Sequence, residues 1–226
     1  MCGSFNVGDT VDRYSELWQR EYMWPKCDIH LWNNCNKEKN GPAMLDHIMS
    51  HHDVISKGYG TILQAGGAVG VYTDYYAKFF DTVVTYEPDK QNYTCLQANT
   101  SVRSNCNIRM RNMCLSDIPD IMLPMRNDYI NVGATKVLDG SMNDVATYWA
   151  KTTTIDSEPE DVFKNLHIIH LDVEGHEKNI LQGGKDTIQK HKPLIVLETW
   201  DDEYMDSIGY KEAGFAGWDK IFNAKY

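Results

Sequence analysis

Three features of this 226-residue chain are spaced for chemistry on a nucleoside. The first is a small-residue run, Ala65-Gly66-Gly67-Ala68-Val69-Gly70, at the end of a short apolar stretch that starts at Thr61. The second is Glu87, which closes the next apolar run, TVVTYEP. The third is Asp172, which closes another, IIHLD. A small-residue turn lets backbone approach a ligand closely, and an ionised carboxylate at a strand end can accept from two ribose hydroxyls. The glycine spacing is not G-x-G-x-x-G, in which the second glycine lets a pyrophosphate lie against the chain. Read alone, the loop also fits a plain tight turn between a strand and a helix.

The order of elements decides whether these residues meet. A strand over 61–65 leads to a helix over 71–80, and a strand over 82–87 to a helix over 90–100. A strand near 108–115 follows, then a strand over 166–172, a helix over 176–190 and a strand over 193–199. Such alternation predicts a mostly parallel sheet covered by helices on both faces. Ligands in these sheets bind at the carboxyl ends of the strands, and Gly66, Glu87, Asp117, Asp172 and Glu198 all fall at or just past predicted strand ends. The segment 118–155 carries no helix pattern and reads as one or two hairpins overhanging the sheet edge. The C-terminal GWDKIFNAKY reads as a last, antiparallel strand.

Residues 1–42 are polar and aromatic-rich, ending in the break signal Asn40-Gly41-Pro42. They predict an appendage with a short helix over 15–22, packed on the body through Trp18, Trp24 and Trp32; residues 43–226 form the main domain. In 43–52, Met44, Leu45, Ile48 and Met49 recur at helical spacing.

With 22 basic and 32 acidic residues the net charge is −10, which repels phosphate backbones and argues against nucleic acid as a partner. Arg103, Arg109 and Arg111 alternate as one face of a strand does. The six cysteines (2, 27, 35, 95, 106, 114) show no disulfide-scaffold spacing. With no apolar leader and no membrane-length run, the expectation is a cytoplasmic protein with no membrane partner. The sequons at Asn92 and Asn99 are then chance matches. Cys27, His30 and Cys35 have loose zinc-like spacing but lack a fourth ligand nearby, and His47 and His51 lack an H-E-x-x-H, so no metal is expected.

In sequence, the chain resembles the FkbM family of S-adenosylmethionine-dependent methyltransferases. The matching pieces run in order from about residue 61 to 198: LQAGGAVGVYT, VVTYEPDKQNYTCLQAN, CLSD, TTTID, HLDVEGHEKNILQGG and KPLIVLE. The D-V-E-G-x-E run of Asp172 to Glu177, with the later P-x-I-V-L-E, is the most specific. The resemblance implies the seven-stranded class I methyltransferase sheet, a Rossmann-like α/β fold. It also implies S-adenosylmethionine as cofactor and O-methylation of a small molecule or sugar. This chain departs from the family at Gln64, where an acid is usual, and at Ala68, where Asn is usual.

By that resemblance Gln64, Gly66, Gly67, Ala68 and Gly70 line the methionine tail, and Glu87 grips the ribose. Ser116 and Asp117 sit by the adenine, and Asp172 lies near the transferred methyl. Asp172, Glu174 and His176 are the catalytic candidates, His176 because its ordinary pKa lies near neutrality. Glu174 and Glu177 also suit a helix start, and His170 reads as a satisfied core histidine. Glu198 is a candidate substrate contact. Two other readings remain at this point: a non-catalytic binding protein with an eroded cofactor site, and an NAD-type oxidoreductase. The acceptor and the oligomeric state carry no legible motif.

Overall fold

The computed structural model describes residues 10–37, 40–101, 107–138, 140 and 145–225. Cys2, Arg103 and Cys106 lie outside them. The chain opens with a hairpin, β1 (Thr10–Ser15) and β2 (Arg20–Pro25), followed by α1 (His30–Lys37), α2 (Asn40–Ser50) and α3 (His52–Lys57). Then come β3 (Thr61–Ala65), α4 (Val71–Tyr76), β4 (Thr82–Tyr86), α5 (Lys90–Ser101) and β5 (Ile108–Arg111). A second group of strands follows: β6 (Cys114–Leu115), β7 (Met122–Asp128), β8 (Asn131–Val137) and β9 (Tyr148–Thr153). The chain ends with β10 (Leu166–Leu171), α6 (Glu177–Gln182), α7 (Lys185–His191), β11 (Leu194–Leu197), α8 (Asp202–Ser207), β12 (Tyr210–Ala216) and β13 (Asp219–Ala224).

Seven strands form one sheet in the order β12-β13-β11-β10-β3-β4-β5. The pairs among β11, β10, β3, β4 and β5 are parallel, and β13 runs antiparallel to both of its neighbours. Alternation along the central strands explains why both faces are covered. Leu63, Val84, Ile169 and Ile195 enter one apolar cluster with α6, α7 and α8. Their neighbours Ile62, Val83, Ile168 and Val196 enter a second cluster with Met44, Leu45, Ile48 and Met49 of α2 and Tyr76 of α4. This is the covered, mostly parallel α/β sheet that the element order implies, and the seven-stranded class I methyltransferase architecture that the resemblance implies.

Four differences from the sequence reading have local causes. Residues 15–22 form a hairpin instead of a helix. The buried Asn99 side chain accepts from Met23 N (2.6 Å) and donates to Met23 O (2.9 Å) and Val69 O (2.7 Å), clamping β2 as extended chain. Trp24 is fully buried and packs edge-on to Trp32, and Trp18 packs edge-on to Tyr75, so the aromatics do seat this segment.

The strand expected over 108–115 is split between sheets. Asn112 Nδ2 donates to the carbonyls of Glu87 (2.8 Å) and Pro88 (3.1 Å), and the chain turns away to pair β6 with β9. The helix expected over 176–190 breaks at Gly183-Gly184. A Cβ there would lie 2.1 Å from Ser116 O and 2.7 Å from Ile155 Cδ1 respectively. The helix expected over 71–80 ends at Tyr76, with turns following. The overhanging segment forms most of a four-stranded sheet, β6-β9-β7-β8.

Candidate active site

The strand register builds the site. Tyr86, Ala65, Leu171 and Leu197 are consecutive partners across β4, β3, β10 and β11. The next residue on each strand is Glu87, Gly66, Asp172 and Glu198, so three of the acids expected at strand ends share one edge with the first glycine of the turn. This edge faces a cleft of about 900 Å³, counted out to its mouth.

The glycine turn contributes shape. Gly66 has φ +81°, and a Cβ there would meet Asp172 O at 1.9 Å; one on Gly67 would meet Thr85 Oγ1 at 2.6 Å. The amides of Gly66 and Gly67 both donate to Tyr86 O (3.2 and 3.0 Å), so the loop presents surface to the cleft without those two donors. Ala68 sits in left-handed conformation at φ +43°, where Asn is more comfortable than Ala. Its amide donates to Glu87 Oε2 (2.8 Å), while Asp89 N donates to Glu87 Oε1 (2.8 Å). Burial, then the charge of Asp89, pushes the Glu87 carboxyl up to about 8 against these hydrogen bonds. Gln64 is buried and its Oε1 accepts from Thr73 Oγ1 (2.7 Å).

The far wall is apolar: Met113, Cys114 and Leu115 after β5, with Met125, Val132 and Val137 from the second sheet. Ser116 and Asp117 lie just past that wall, in a neighbouring cavity that shares His176 and Val137 with the cleft. Ser116 Oγ donates to Asp117 Oδ1 (2.9 Å), and it lies 3.0 Å from His176 Nε2. A hydroxyl has one proton to donate. Burial acts to raise Asp117, yet hydrogen bonds from Ser116 and Asn179 outweigh it and hold the carboxyl below its ordinary value. Asp117 is therefore the acceptor, and His176 must donate through Nε2, leaving Nδ1 with the lone pair. Burial, partly offset by Asp117, lowers the His176 pKa, so the ring is neutral at neutral pH.

A third cavity meets the cleft at Asp172, Tyr72, Cys35, Leu31 and Gly133. Glu174, Glu198, Trp18 and Trp218 complete much of its wall, and no Lys, Arg or His lines it among the described residues. Burial, then Glu198 and Asp219, drives Asp172 well above the usual carboxylate range. Glu198 is raised by burial against a hydrogen bond from Asp172, with Glu177 and Asp219 adding to the rise. Glu174 has φ +58°, a strained conformation for a non-glycine residue at a ligand cavity. Glu177 holds that loop: its carboxylate accepts from Val173 N (3.2 Å), Gly175 N (3.5 Å) and the Thr199 hydroxyl. Sequence reasoning placed Tyr72 on the helix after the glycine turn, weighed Cys35 only within a loose zinc-like spacing, and missed both as lining of this cavity. Both reach it through the packing of α4 and α1.

The structure thus sorts the candidates. Gln64, Gly66, Gly67, Ala68 and Glu87 border the cleft, and Gly70 stands behind it, where a Cβ would meet Leu96 Cδ1 at 2.8 Å. Ser116, Asp117 and His176 group at one end and Asp172 and Glu198 at the other, while Glu174 lines both flanking cavities. His170 is fully buried between Tyr76 OH (2.8 Å) and Asp219 Oδ2 (3.0 Å). Among the described residues, no three His, Cys, Asp or Glu side chains group to hold a metal, and no helix is long and apolar enough to cross a membrane.

Comparison with known proteins bears on the same residues. The methyltransferase FkbM domain profile matches residues 64–222, most of the chain. No curated protein matches it. Methyltransferase FkbM from Methylobacillus flagellatus KT superposes over 74% of this chain at 17% identity and TM-score 0.48; this chain spans 43% of that one. The T. thermophilus 16S rRNA N2 G1207 methyltransferase, solved with AdoMet and guanosine, covers 96% of this chain and is matched over 50% of its own. Its identity is 12% and its TM-score 0.50. Monomeric WbdD covers 87% of this chain at 14% identity and TM-score 0.51, matched over 44% of its length. The last two likenesses speak for the fold. On the profile match across 64–222, the chain belongs to the FkbM family of methyltransferases.

Proposed function

We propose that this protein transfers a methyl group from S-adenosylmethionine to a hydroxyl of a small molecule or sugar. The observation that carries this reading is the junction of two cavities at Asp172: a cleft bordered by the glycine turn and Glu87 on one side and an acidic, aromatic-rimmed cavity on the other. The cleft suits the cofactor. Glu87 has lone pairs left beyond its two amide contacts to accept from ribose hydroxyls, and Met113, Cys114 and Leu115 offer an apolar wall for adenine. The turn of Gly66 and Gly67 leaves side-chain-free space for the methionine tail.

When bound, the cofactor supplies a methyl already electrophilic on its sulfonium. The chain's own work is to align the hydroxyl, exclude water and take up its proton. Asp172 lines both cavities and stands where the two ligands meet. Carboxylates without a lining cation favour neutral acceptors with hydroxyl donors and disfavour phosphorylated or carboxylated ones.

Calorimetric titration with S-adenosylmethionine and S-adenosylhomocysteine, with NAD as control, tests the reading. Micromolar binding of the first two, lost in Glu87→Ala, supports it. A folded protein that binds neither reduces the chain to a binding protein whose site eroded at Gln64, and binding of NAD alone makes it an oxidoreductase.

A further inference from the structure

Asp172 and Glu198 stand side by side because Leu171 and Leu197 are register partners and Glu198 N donates to Leu171 O (3.1 Å). Their carboxyl groups lie within hydrogen-bonding reach, a contact that exists only if a proton sits between them. Glu198 Oε2 is buried and receives no N–H or O–H from the described residues. A buried carboxylate oxygen without a donor is costly, and a proton shared with Asp172 removes that cost. Asp172 faces both cavities, whereas Glu198 lines only the acidic one.

Resting on the methyltransferase reading above, we propose that Glu198 is a catalytic residue: paired with Asp172 over one shared proton, it accepts the proton of the acceptor hydroxyl. As the acceptor oxygen bonds to the methyl carbon, the carbon–sulfur bond breaks and its electrons stay on sulfur. The O–H proton passes to the Glu198 carboxylate, so one positive and one negative charge are lost together.

The surroundings set this pair apart from an ordinary acid. Asp219 from β13, Glu177 from α6 and Glu174 from the intervening loop all add negative potential, while Tyr72 of α4 and Cys35 of α1 face it as neutral groups. The Cys35 thiol is pushed up to about 12, chiefly by burial. Lys136 shares a cavity wall with Glu174 and offsets part of that potential. Two like charges this close cannot both ionise easily, so the singly protonated pair keeps one carboxylate with raised proton affinity near neutral pH. His176 lies outside this cavity, at the Ser116 end of the cleft.

The test compares the full chain with Glu198→Gln, Asp172→Asn and the double variant. Unfolding free energy is followed from pH 5 to 9, and S-adenosylmethionine binding is measured for each protein. Methyl transfer is read with labelled cofactor on a panel of neutral sugars and polyols. The expected result is that each single variant flattens the pH dependence by about one proton and the double variant flattens it no further. Glu198→Gln is expected to keep cofactor affinity within about threefold and to lose transfer by about a hundredfold or more. Slopes unchanged in Glu198→Gln, or losses that add in the double variant, overturn the shared proton. Transfer that survives Glu198→Gln, or wild-type transfer to no neutral hydroxyl while cofactor binds, overturns the catalytic role. Failure of the wild type to bind S-adenosylmethionine is a different result: it removes the methyltransferase reading, and the proposal with it.

Discussion

A Cβ placed on Gly66 would lie 1.9 Å from the backbone oxygen of Asp172. The glycine turn and the acid at the cavity junction therefore pack backbone to backbone, with no room for a side chain between them. Gly66→Ala must strain a residue at φ +81° and push β3 away from the end of β10. The expected loss is on the order of 3–5 kcal/mol, summed from left-handed strain and overpacking. Urea unfolding at equilibrium measures it.

Glu87 provides a pH signature. Its carboxyl is pushed up to about 8 by burial, so between its unfolded value near 4.5 and that pH the folded state holds a proton that the unfolded state releases. Stability from this group is complete below the lower value and is lost as pH rises through the upper one. Glu87→Gln should flatten the fall in unfolding free energy between about pH 5 and 8, by a few kcal/mol at most. Ribose hydroxyls favour the ionised form, so cofactor affinity should climb from pH 6 toward pH 8 and level off. Calorimetry across that range, with Glu87→Gln lacking the climb, checks it.

Asn99 ties the N-terminal hairpin to the site through Met23 and Val69. Asn99→Ala removes the partner of the half-buried Met23 amide and carbonyl and of the buried Val69 carbonyl, a cost on the order of 1–3 kcal/mol. Trp24 fluorescence should shift toward that of a solvated indole as the hairpin loosens, and cofactor affinity should fall because Val69 lines the cleft.

The hydrogen-bond chain from His176 through Ser116 to Asp117 fixes a tautomer. Nitrogen NMR of labelled protein near neutral pH should show the His176 proton on Nε2. Ser116→Ala should give a mixture of tautomers while leaving the fold intact, since Asp117 is exposed and retains Asn179.

These predictions draw unevenly on what the sequence makes legible. The turn at Gly66, the acid at Glu87 and the strand ending before Asp172 were readable because parallel strands buried on both faces leave continuous apolar runs with a polar residue where each run stops. Which acids become neighbours was not readable: it depends on the register of Leu171 with Leu197, which no local pattern encodes. The hairpin at 10–25 was hidden because its extended state is set by Asn99, more than seventy residues away. Gly183-Gly184 read as part of a helix because the reason for two glycines is Ser116 O and Ile155, from a distant segment. Gln64 shows a type of its own: the sequence flags a missing charge, and only the fold shows its carbonyl already bound to Thr73.

The central claim is that the cleft beside Asp172 holds S-adenosylmethionine with its ribose on Glu87. The most direct measurement is a crystal structure with S-adenosylhomocysteine bound. The account predicts ribose hydroxyls within hydrogen-bonding distance of the Glu87 carboxylate, adenine against Met113, Cys114 and Leu115, and the sulfur at the junction marked by Asp172. A ligand bound elsewhere, or with its ribose turned away from Glu87, contradicts it.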